Sequence, residues 1–434
     1  MSDVNGFRDV LDRSAALARD RADPLRDRVD LFLPTGPDVV AYLDGNSLGR
    51  PAAAVADAWA GLARDWAGRL IRGWDEGWME LPGTVGDELA ASVLGAAPGQ
   101  TVVADSTTVN LYKCLRAALN LRPGRRRVVV DRDNFPTNRY VAQSLARDLG
   151  LELVWLAADP DGGVRPEDVA GVLDDDTAVV TLSHVAYRSG FLADMEAITD
   201  LAHRAGALVL WDLCHSAGVL PVELDRCEVD FAAGCTYKFL GAGPGAPAFL
   251  YVHRRHHDRL DQPIWGWLGG ADPFQMGPDH RPAPGIRSML SGTPPIAGLL
   301  AVREGVRVVA DAGVPAIRAK SVALGEWTVA LADAWLAPLG VEVASPRDPA
   351  RRGGHVSLRH PDARRLCAEL AAAGVLPDFR TPDVVRVGLA PLTTSFTAVW
   401  DALAVLRDLL SGARPRAAAD PTAADEAPPM APNG

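Results

Sequence analysis

Two residues of this 434-residue chain could do covalent chemistry together if the fold brings them to one place. Asp212 directly follows the apolar run Ala207-Leu208-Val209-Leu210-Trp211, which would bury its backbone in a sheet and leave its carboxylate at the sheet's edge. Taking a carboxylate out of water is costly unless a cation meets it, and a protonated ring nitrogen would be such a cation. Lys238 ends the mostly apolar stretch Asp230-Phe231-Ala232-Ala233-Gly234-Cys235-Thr236-Tyr237 and precedes Gly241-Ala242-Gly243-Pro244-Gly245. A lysine drawn out of water there would offer a nucleophilic amine, the group that forms a Schiff base with an aldehyde. Taken alone, each has an ordinary reading: an Asp after a strand often caps a helix, and a lysine usually lies on the surface. Their conjunction favours chemistry: an Asp ends one strand, a Lys ends a later one, and a glycine-rich turn follows. That turn is not a P-loop, since GxxxxGK[ST] is absent.

Both residues need a sheet to hold them. From about residue 44 to 252, short β-branched or apolar runs recur at 127–130, 152–156, 178–182, 207–211 and 248–252, most with helix-like segments between them. This alternation predicts an α/β fold whose large domain is a mostly parallel sheet with flanking helices, and such sheets take ligands at the carboxyl ends of their strands. In the helical segment 194–205, Ala197, Ile198, Leu201 and Ala202 share one face and Asp194 could cap the start. From about residue 295, long Ala/Leu/Val/Arg helices with strands expected at 355–359 and 384–389 predict a smaller α/β domain. The expected organisation is an amino-terminal segment 1–40 packing with the small domain, a large cofactor-binding domain 41–295, the small domain 296–412, and a disordered Ala/Pro/Asp-rich tail 413–434.

Composition narrows the partners. With 48% hydrophobic residues the chain can bury a substantial core, and a formal charge of -11 disfavours nucleic acid and anionic membrane surfaces. The basic run Arg125-Arg126-Arg127 reads as a solvated turn. Cys114, Cys214, Cys227, Cys235 and Cys367 show neither CxxC spacing nor an even count, which argues against a disulfide framework and for a reducing compartment. No signal peptide or membrane-length apolar window is found, so a cytoplasmic enzyme is expected. His253, His256 and His257 cluster as a metal site might, but lie among arginines without a paired carboxylate motif; a solvated strand exit, and no metal, is expected.

The Asp–Lys arrangement is that of the large aspartate-aminotransferase-like group of pyridoxal phosphate enzymes (fold type I), and within it the chain resembles the kynureninase family. The resemblance is carried by Tyr42-Leu43-Asp44-Gly45-Asn46-Ser47-Leu48-Gly49, Asp105-Ser106-Thr107-Thr108-Val109-Asn110-Leu111, Asn134-Phe135-Pro136-Thr137, Trp211-Asp212-Leu213-Cys214-His215-Ser216-Ala217-Gly218, Tyr237-Lys238-Phe239-Leu240, Gly243-Pro244-Gly245-Ala246-Pro247-Ala248-Phe249, Gly292-Thr293-Pro294-Pro295, Asp378-Phe379-Arg380 and Val385-Arg386-Val387-Gly388. It implies pyridoxal phosphate held as a Schiff base on Lys238, with Asp212 on the pyridinium proton, Phe135 over the ring, and Thr107 and Thr108 on the phosphate. Ser183, His215 and Tyr237 match further cofactor contacts, Tyr237 also being a candidate proton donor to the substrate carbonyl. Trp267 and Thr293 match residues that reach the phosphate from a neighbouring subunit, implying a homodimer with shared active sites. Arg386 matches the arginine that grips the substrate α-carboxylate, a task suited to a bidentate guanidinium. Trp74 and Trp78 could line the aryl pocket, with core packing as the alternative.

The implied reaction is hydrolytic cleavage of the Cβ–Cγ bond of L-kynurenine to anthranilate and L-alanine. One departure bears on it: the family pattern continues Phe-Pro-Thr with Asp, whereas Asn138 stands here, which could alter the cofactor's ionisation or the substrate preference. Cleavage of 3-hydroxykynurenine or a ring-substituted kynurenine therefore stays open. A cysteine desulfurase would need a nucleophilic cysteine in a mobile loop near the small domain, where only Cys367 lies, in a helical pattern. A binding protein without activity would not need Lys238, Asp212 and Arg386 together.

Overall fold

The apolar runs of the first half of the chain pair into one seven-stranded sheet: β2 (Thr101–Val103), β3 (Arg127–Asp131), β4 (Glu152–Leu156), β5 (Thr177–Ser183), β6 (Leu208–Asp212), β7 (Phe231–Gly234) and β8 (Phe249–Val252). The computed structural model describes residues 11–412, so the expectation for 413–434 falls outside it. The strand order is β2-β8-β7-β6-β5-β3-β4, all pairs parallel except the two made by β8. Both faces are covered, which is why the strands read as continuous apolar runs. Val129, Val180, Leu182, Val209 and Trp211 enter the core on one face, while Val128, Val130, Val179, Leu208 and Leu210 enter the core on the other.

Helices occupy the crossovers. The helix Pro136–Leu149 lies between β3 and β4, and Met195–Arg204 between β5 and β6. In the second, Asp194 accepts the N–H of Ala197 at 3.1 Å, and Ile198 and Ala202 are buried as the face pattern required. Arg125 is not a solvated turn residue: its guanidinium donates to the carbonyls of Thr177 and Ala205, each at 2.7 Å, closing the edge between strand and helix.

A second sheet is antiparallel, in the order β12 (Asp378–Arg380), β13 (Val384–Gly388), β10 (His355–Arg359), β9 (Glu342–Val343). Its core takes Leu11, Ala16, Ala41 and Leu43 from the start of the chain together with Leu324, Val356, Val385 and Leu403. Polar links fix that amino-terminal segment. Asp20 accepts the N–H groups of Phe396 (2.7 Å) and Thr397 (3.1 Å) at the start of the helix Phe396–Leu410, and Lys320 meets Asp23 at 2.6 Å with both side chains buried. The loop 185–192, which leaves β5, is bonded to the second sheet: Gly353 N–H donates to the Gly190 carbonyl at 2.7 Å and Leu192 N–H to that of Arg351 at 2.8 Å. The strand β13 thereby comes over the carboxyl ends of β5 and β6.

Lys238 does not end β7. The strand stops at Gly234, whose missing Cβ would lie 2.5 Å from the Phe249 ring, and Cys235 to Leu240 form an irregular segment beyond it. Two glycines press on this segment. The Gly49 N–H donates to the Tyr237 carbonyl at 2.8 Å, and a Cβ on Gly49 would stand 2.1 Å from the Lys238 carbonyl oxygen; one on Gly305 would stand 1.9 Å from that of Leu240. Neither glycine can gain a side chain without moving backbone. Gly305→Ala is therefore expected to destabilise the protein by about 1–3 kcal/mol, the usual cost of overpacking. Thermal unfolding checks this, and an unchanged midpoint would show that the segment gives way freely.

Candidate active site

The register of β5 and β6 sets Ser183 beside Asp212 at the carboxyl ends of the two strands. Asp212 is 7% exposed, and each of its oxygens is held by an N–H donor: Oδ1 by the backbone of Cys214 and Oδ2 by Asn138 Nδ2, both at 2.8 Å. Asn138 comes from the first turn of the helix Pro136–Leu149, and its Nδ2 also donates to Asn134 Oδ1 at 2.8 Å. That same Asn134 oxygen accepts Ser183 Oγ and the Phe135 N–H, both at 2.7 Å. Two asparagines and a serine thus hold one buried carboxylate in place. Asn138 Oδ1 is buried without a hydrogen-bond partner.

A cavity of about 220 Å3 opens above this network. Of the residues singled out in the sequence, Thr107, Thr108, Phe135, Asn138, Ser183, Asp212, His215, Tyr237, Lys238 and Arg386 line it. Thr107 and Thr108 open the helix Thr107–Asn120, capped by Ser106, and also line a wider cavity of about 490 Å3 together with Tyr237 and Thr293. The turn before this helix is fixed from below. Asp105 has a φ of 52°, and the fully buried Lys113 donates to its carboxylate at 2.6 Å and to the Met289 carbonyl at 2.9 Å. Trp267 lies apart on the surface, 39% exposed, next to Leu268 of the wider cavity. Trp74 packs edge-on against Trp78, centroids 5.2 Å apart, and neither ring lines either cavity. Trp78 packs against the core of the large sheet.

Burial sorts the ionisable groups. It raises the Tyr237 hydroxyl above its ordinary range, with the neighbouring Cys235 adding to the effect, so Tyr237 is an O–H donor at neutral pH. Burial, followed by the charges of Lys238 and Arg386, pushes His215 well down, so its ring is neutral; its Nδ1 has no hydrogen-bond partner. Arg386, 1% exposed, is pushed down to about 10 by burial and Arg380, against the pull of Asp378 and Asp44, and stays charged. Its guanidinium donates to Ser47 Oγ at 2.8 Å and the Tyr187 carbonyl at 2.7 Å.

Ser47, Thr137, Tyr187, Cys214 and Arg380 also line the cavity and were not among the predicted site residues. Ser47, Thr137, Cys214 and Arg380 sit inside strings that carried the resemblance, so a signal was present; Tyr187 had none. The histidine cluster is not a solvated strand exit. His256 is buried against Asp230 Oδ1 at 2.7 Å, because that carboxylate, 1% exposed at its side chain, also needs His203 and Arg255. Among the described residues no group of three or more His, Cys, Asp or Glu is placed to hold a metal. Cys367 lies in the helix Ala363–Ala372 with its thiol pushed up to about 12 by burial, unlike a reactive thiolate. No helix of the described residues is long and apolar enough to cross a membrane.

An amine, a buried carboxylate, an aromatic ring and a helix start bearing two hydroxyls could together hold a phosphorylated aromatic aldehyde with a cationic ring nitrogen, while Arg386 offers a site for a carboxylate.

The profile of the kynureninase C-terminal domain matches residues 317–406, and that of the DegT/DnrJ/EryC1/StrS aminotransferase family matches 75–225. A kynureninase of Burkholderia pseudomallei is 43% identical over 405 residues, covering 92% of this chain and 95% of its own length. One of Pseudomonas fluorescens is 42% identical over 399 residues, covering 91% and 93%. Among solved structures, a cysteine desulfurase of Thermococcus onnurineus NA1 superposes with a TM-score of 0.78 at 21% identity, over 89% of this chain and 98% of that one. A C-DES variant with glycine covalently linked to its PLP cofactor gives 0.76 at 18% identity, over 85% and 96%. At these identities the structural likeness is one of fold.

Asn138→Asp would set a second carboxylate at 2.8 Å from Asp212, and the two would share a proton. The visible absorption of the cofactor-loaded variant is expected to titrate about one unit or more away from that of the parent protein. Coincident titrations with unchanged kinetics on every substrate would reduce Asn138 to a packing residue.

Proposed function

The chain belongs to the kynureninase family, and from this premise we propose that it hydrolyses the Cβ–Cγ bond of L-kynurenine to anthranilate and L-alanine, with pyridoxal phosphate as cofactor. The observation that carries the reading is that Lys238, Asp212, Thr107, Thr108, Phe135 and Arg386 line a single cavity at the carboxyl ends of the strands. Bound there, pyridoxal phosphate supplies an electron sink for the pair released when a bond to the substrate's α- or β-carbon breaks.

In this reading Lys238 Nζ would hold the cofactor through its aldehyde carbon, and the same amine would accept the proton of the substrate Cα. Asp212 keeps the ring nitrogen protonated, and the N–H groups of Asn138 and Cys214 keep Asp212 aimed at it. Thr107 and Thr108 bind the phosphate with their hydroxyls and the free N–H groups of the helix start. Phe135 would pack against the cofactor ring, and the neutral His215 would line its pocket without adding charge. Arg386 holds the α-carboxylate. The Tyr237 hydroxyl, kept protonated by burial, donates to the γ-carbonyl oxygen as water adds to Cγ. The Cβ–Cγ bond would then break with its electron pair left on Cβ: Cγ, carrying the oxygen of the added water, would leave with the ring as anthranilate, Cβ would take one proton and Cα would regain the one held by Lys238, giving alanine.

A homodimer belongs to the same proposal. Ile71 is 75% exposed, Trp66 63% and Met276 81%, and Thr293 is exposed at the wider cavity, large apolar exposures that suit surface covered by a second copy. Five free thiols suit a cytoplasmic location.

The purified protein should release anthranilate and alanine from L-kynurenine, with 3-hydroxy-L-kynurenine assayed alongside to rank the substrates. Lys238→Ala should lower the rate about a thousandfold or more, and Tyr237→Phe about a hundredfold. A cofactor-loaded protein inert to both substrates would overturn the assignment. Sedimentation should give twice the chain's mass, and Ile71→Glu should shift it towards monomer with weaker cofactor retention; a monomeric, fully active parent would remove the shared site.

A further inference from the structure

Asp378 and Arg380 lie two residues apart on β12 and so point to the same face, and Asp378 is paired directly across the sheet with Arg386 of β13. Both arginines line the 220 Å3 cavity; Arg386 donates through Nη2 to Asp378 Oδ2, and Arg380 Nη2 forms an ion pair with the same oxygen at 2.6 Å. The Asp378 side chain is 14% exposed. The Nε atoms of both guanidiniums are buried without partners, and Asp44 Oδ1, 4.0 Å from Arg386, is buried unpartnered as well. Two cations and two carboxylates thus balance before any ligand arrives. One of those carboxylates holds a donor of the side chain assigned above to the substrate.

We propose that Asp378 is a resting counter-ion which the α-carboxylate of the amino acid displaces from Arg386, and that Arg380 is a positioning residue that retains Asp378 when this happens. This deepens the reading of Arg386 as the carboxylate grip and rests on it. A buried guanidinium left alone is strongly unfavourable, so Arg386 needs an internal anion to stay charged and oriented whenever no substrate carboxylate meets it. The same anion then competes with the ligand. Arg380 resolves the conflict because it is paired with the same Asp378 oxygen. The exchange breaks only the Arg386 half of the bridge and needs side-chain rotation alone, with the β12–β13 pairing intact. A ligand without a carboxylate leaves the resting bridge in place, which makes the device a contribution to substrate selection.

L-Alanine titrated into the cofactor-loaded protein, followed by the absorption spectrum, reads carboxylate affinity without turnover. Removing the competitor in Asp378→Asn should tighten L-alanine binding about fivefold to tenfold, and removing its alternative partner in Arg380→Gln should weaken it about tenfold, as expected for changes to a desolvated ion cluster. Arg380→Lys should recover most of that loss. The KM for L-kynurenine should follow these dissociation constants, with the larger effect on KM and the smaller on kcat. Asp378→Asn binding L-alanine more weakly or equally well overturns the proposal, as does parent-like binding by Arg380→Gln. Should Asp378→Asn fail to fold, the two Arg380 variants decide alone. Arg386→Lys separates the levels: if it binds L-alanine as the parent does, the carboxylate grip itself is wrong; if it binds weakly while the other variants miss their predicted signs, only the role of Asp378 and Arg380 falls.

Discussion

A carboxylate buried at the end of a buried strand is tolerable only if its oxygens are satisfied, and the arrangement around Asp212 follows from that requirement. One oxygen is met by its own chain, through the N–H of Cys214, and that bond shapes the turn after β6. The other is met by Asn138, an amide that can donate to an anion while accepting no proton. An amide must itself be held to be a reliable donor, and Asn134 does this while also orienting Ser183 and the backbone of Phe135. The strand end, the entry to the helix Pro136–Leu149 and the backbone that carries the Phe135 ring are therefore a single hydrogen-bonded unit. The free lone pairs of Asp212 are left for a cation from the cavity.

The opposite wall is built by different means. The second sheet contributes Arg386, and its placement depends on the loop 185–192, which is stitched to that sheet through Gly190, Leu192 and the Tyr187 carbonyl. Arg386 is thus anchored to the strand that ends in Ser183 as well as to its own sheet. The segment carrying Tyr237 and Lys238 is clamped between Gly49 and Gly305, where only a bare backbone leaves room. Rigid attachment at three points, strand end, loop and clamped segment, holds the reacting groups in fixed relation, which orientation-dependent chemistry needs.

How much of this could be read from the residues depended on whether local pattern or tertiary pairing controlled each feature. Four of the five apolar runs were legible because burial on both faces leaves an uninterrupted apolar signature, as in Val128-Val129-Val130, while the edge strand Glu152–Leu156 is only partly buried and was legible from its Leu-Val-Trp-Leu run. The two-residue and three-residue strands Glu342–Val343 and Thr101–Val103 were not, being too short to show a period and formed only because a neighbour offers an edge. Asp212 and Lys238 stood out because a charged residue next to an apolar run is locally anomalous. Asn134 and Tyr187 did not, since an asparagine before a helix and a tyrosine in a loop look ordinary until the fold brings them to Asp212 and Arg386. His256 was misread for the same reason: its partner Asp230 lies 26 residues earlier in the chain, and only the sheet brings them together.

The cavity also separates protonation states that would otherwise compete. His215, Tyr237 and Arg386 share a small volume with Lys238, so each must be held in one protonation state beside the others. Burial acts on them in opposite senses because it penalises whichever form is charged: it keeps the tyrosine protonated and the histidine unprotonated. The two cations then deepen the effect on His215. Arg386 keeps its charge because its intrinsic affinity for the proton is high enough to survive the desolvation that neutralises the histidine. One acid, one neutral ring and one permanent cation result, and the choice of residue types at these three positions is what makes a single cavity able to hold all three roles at once.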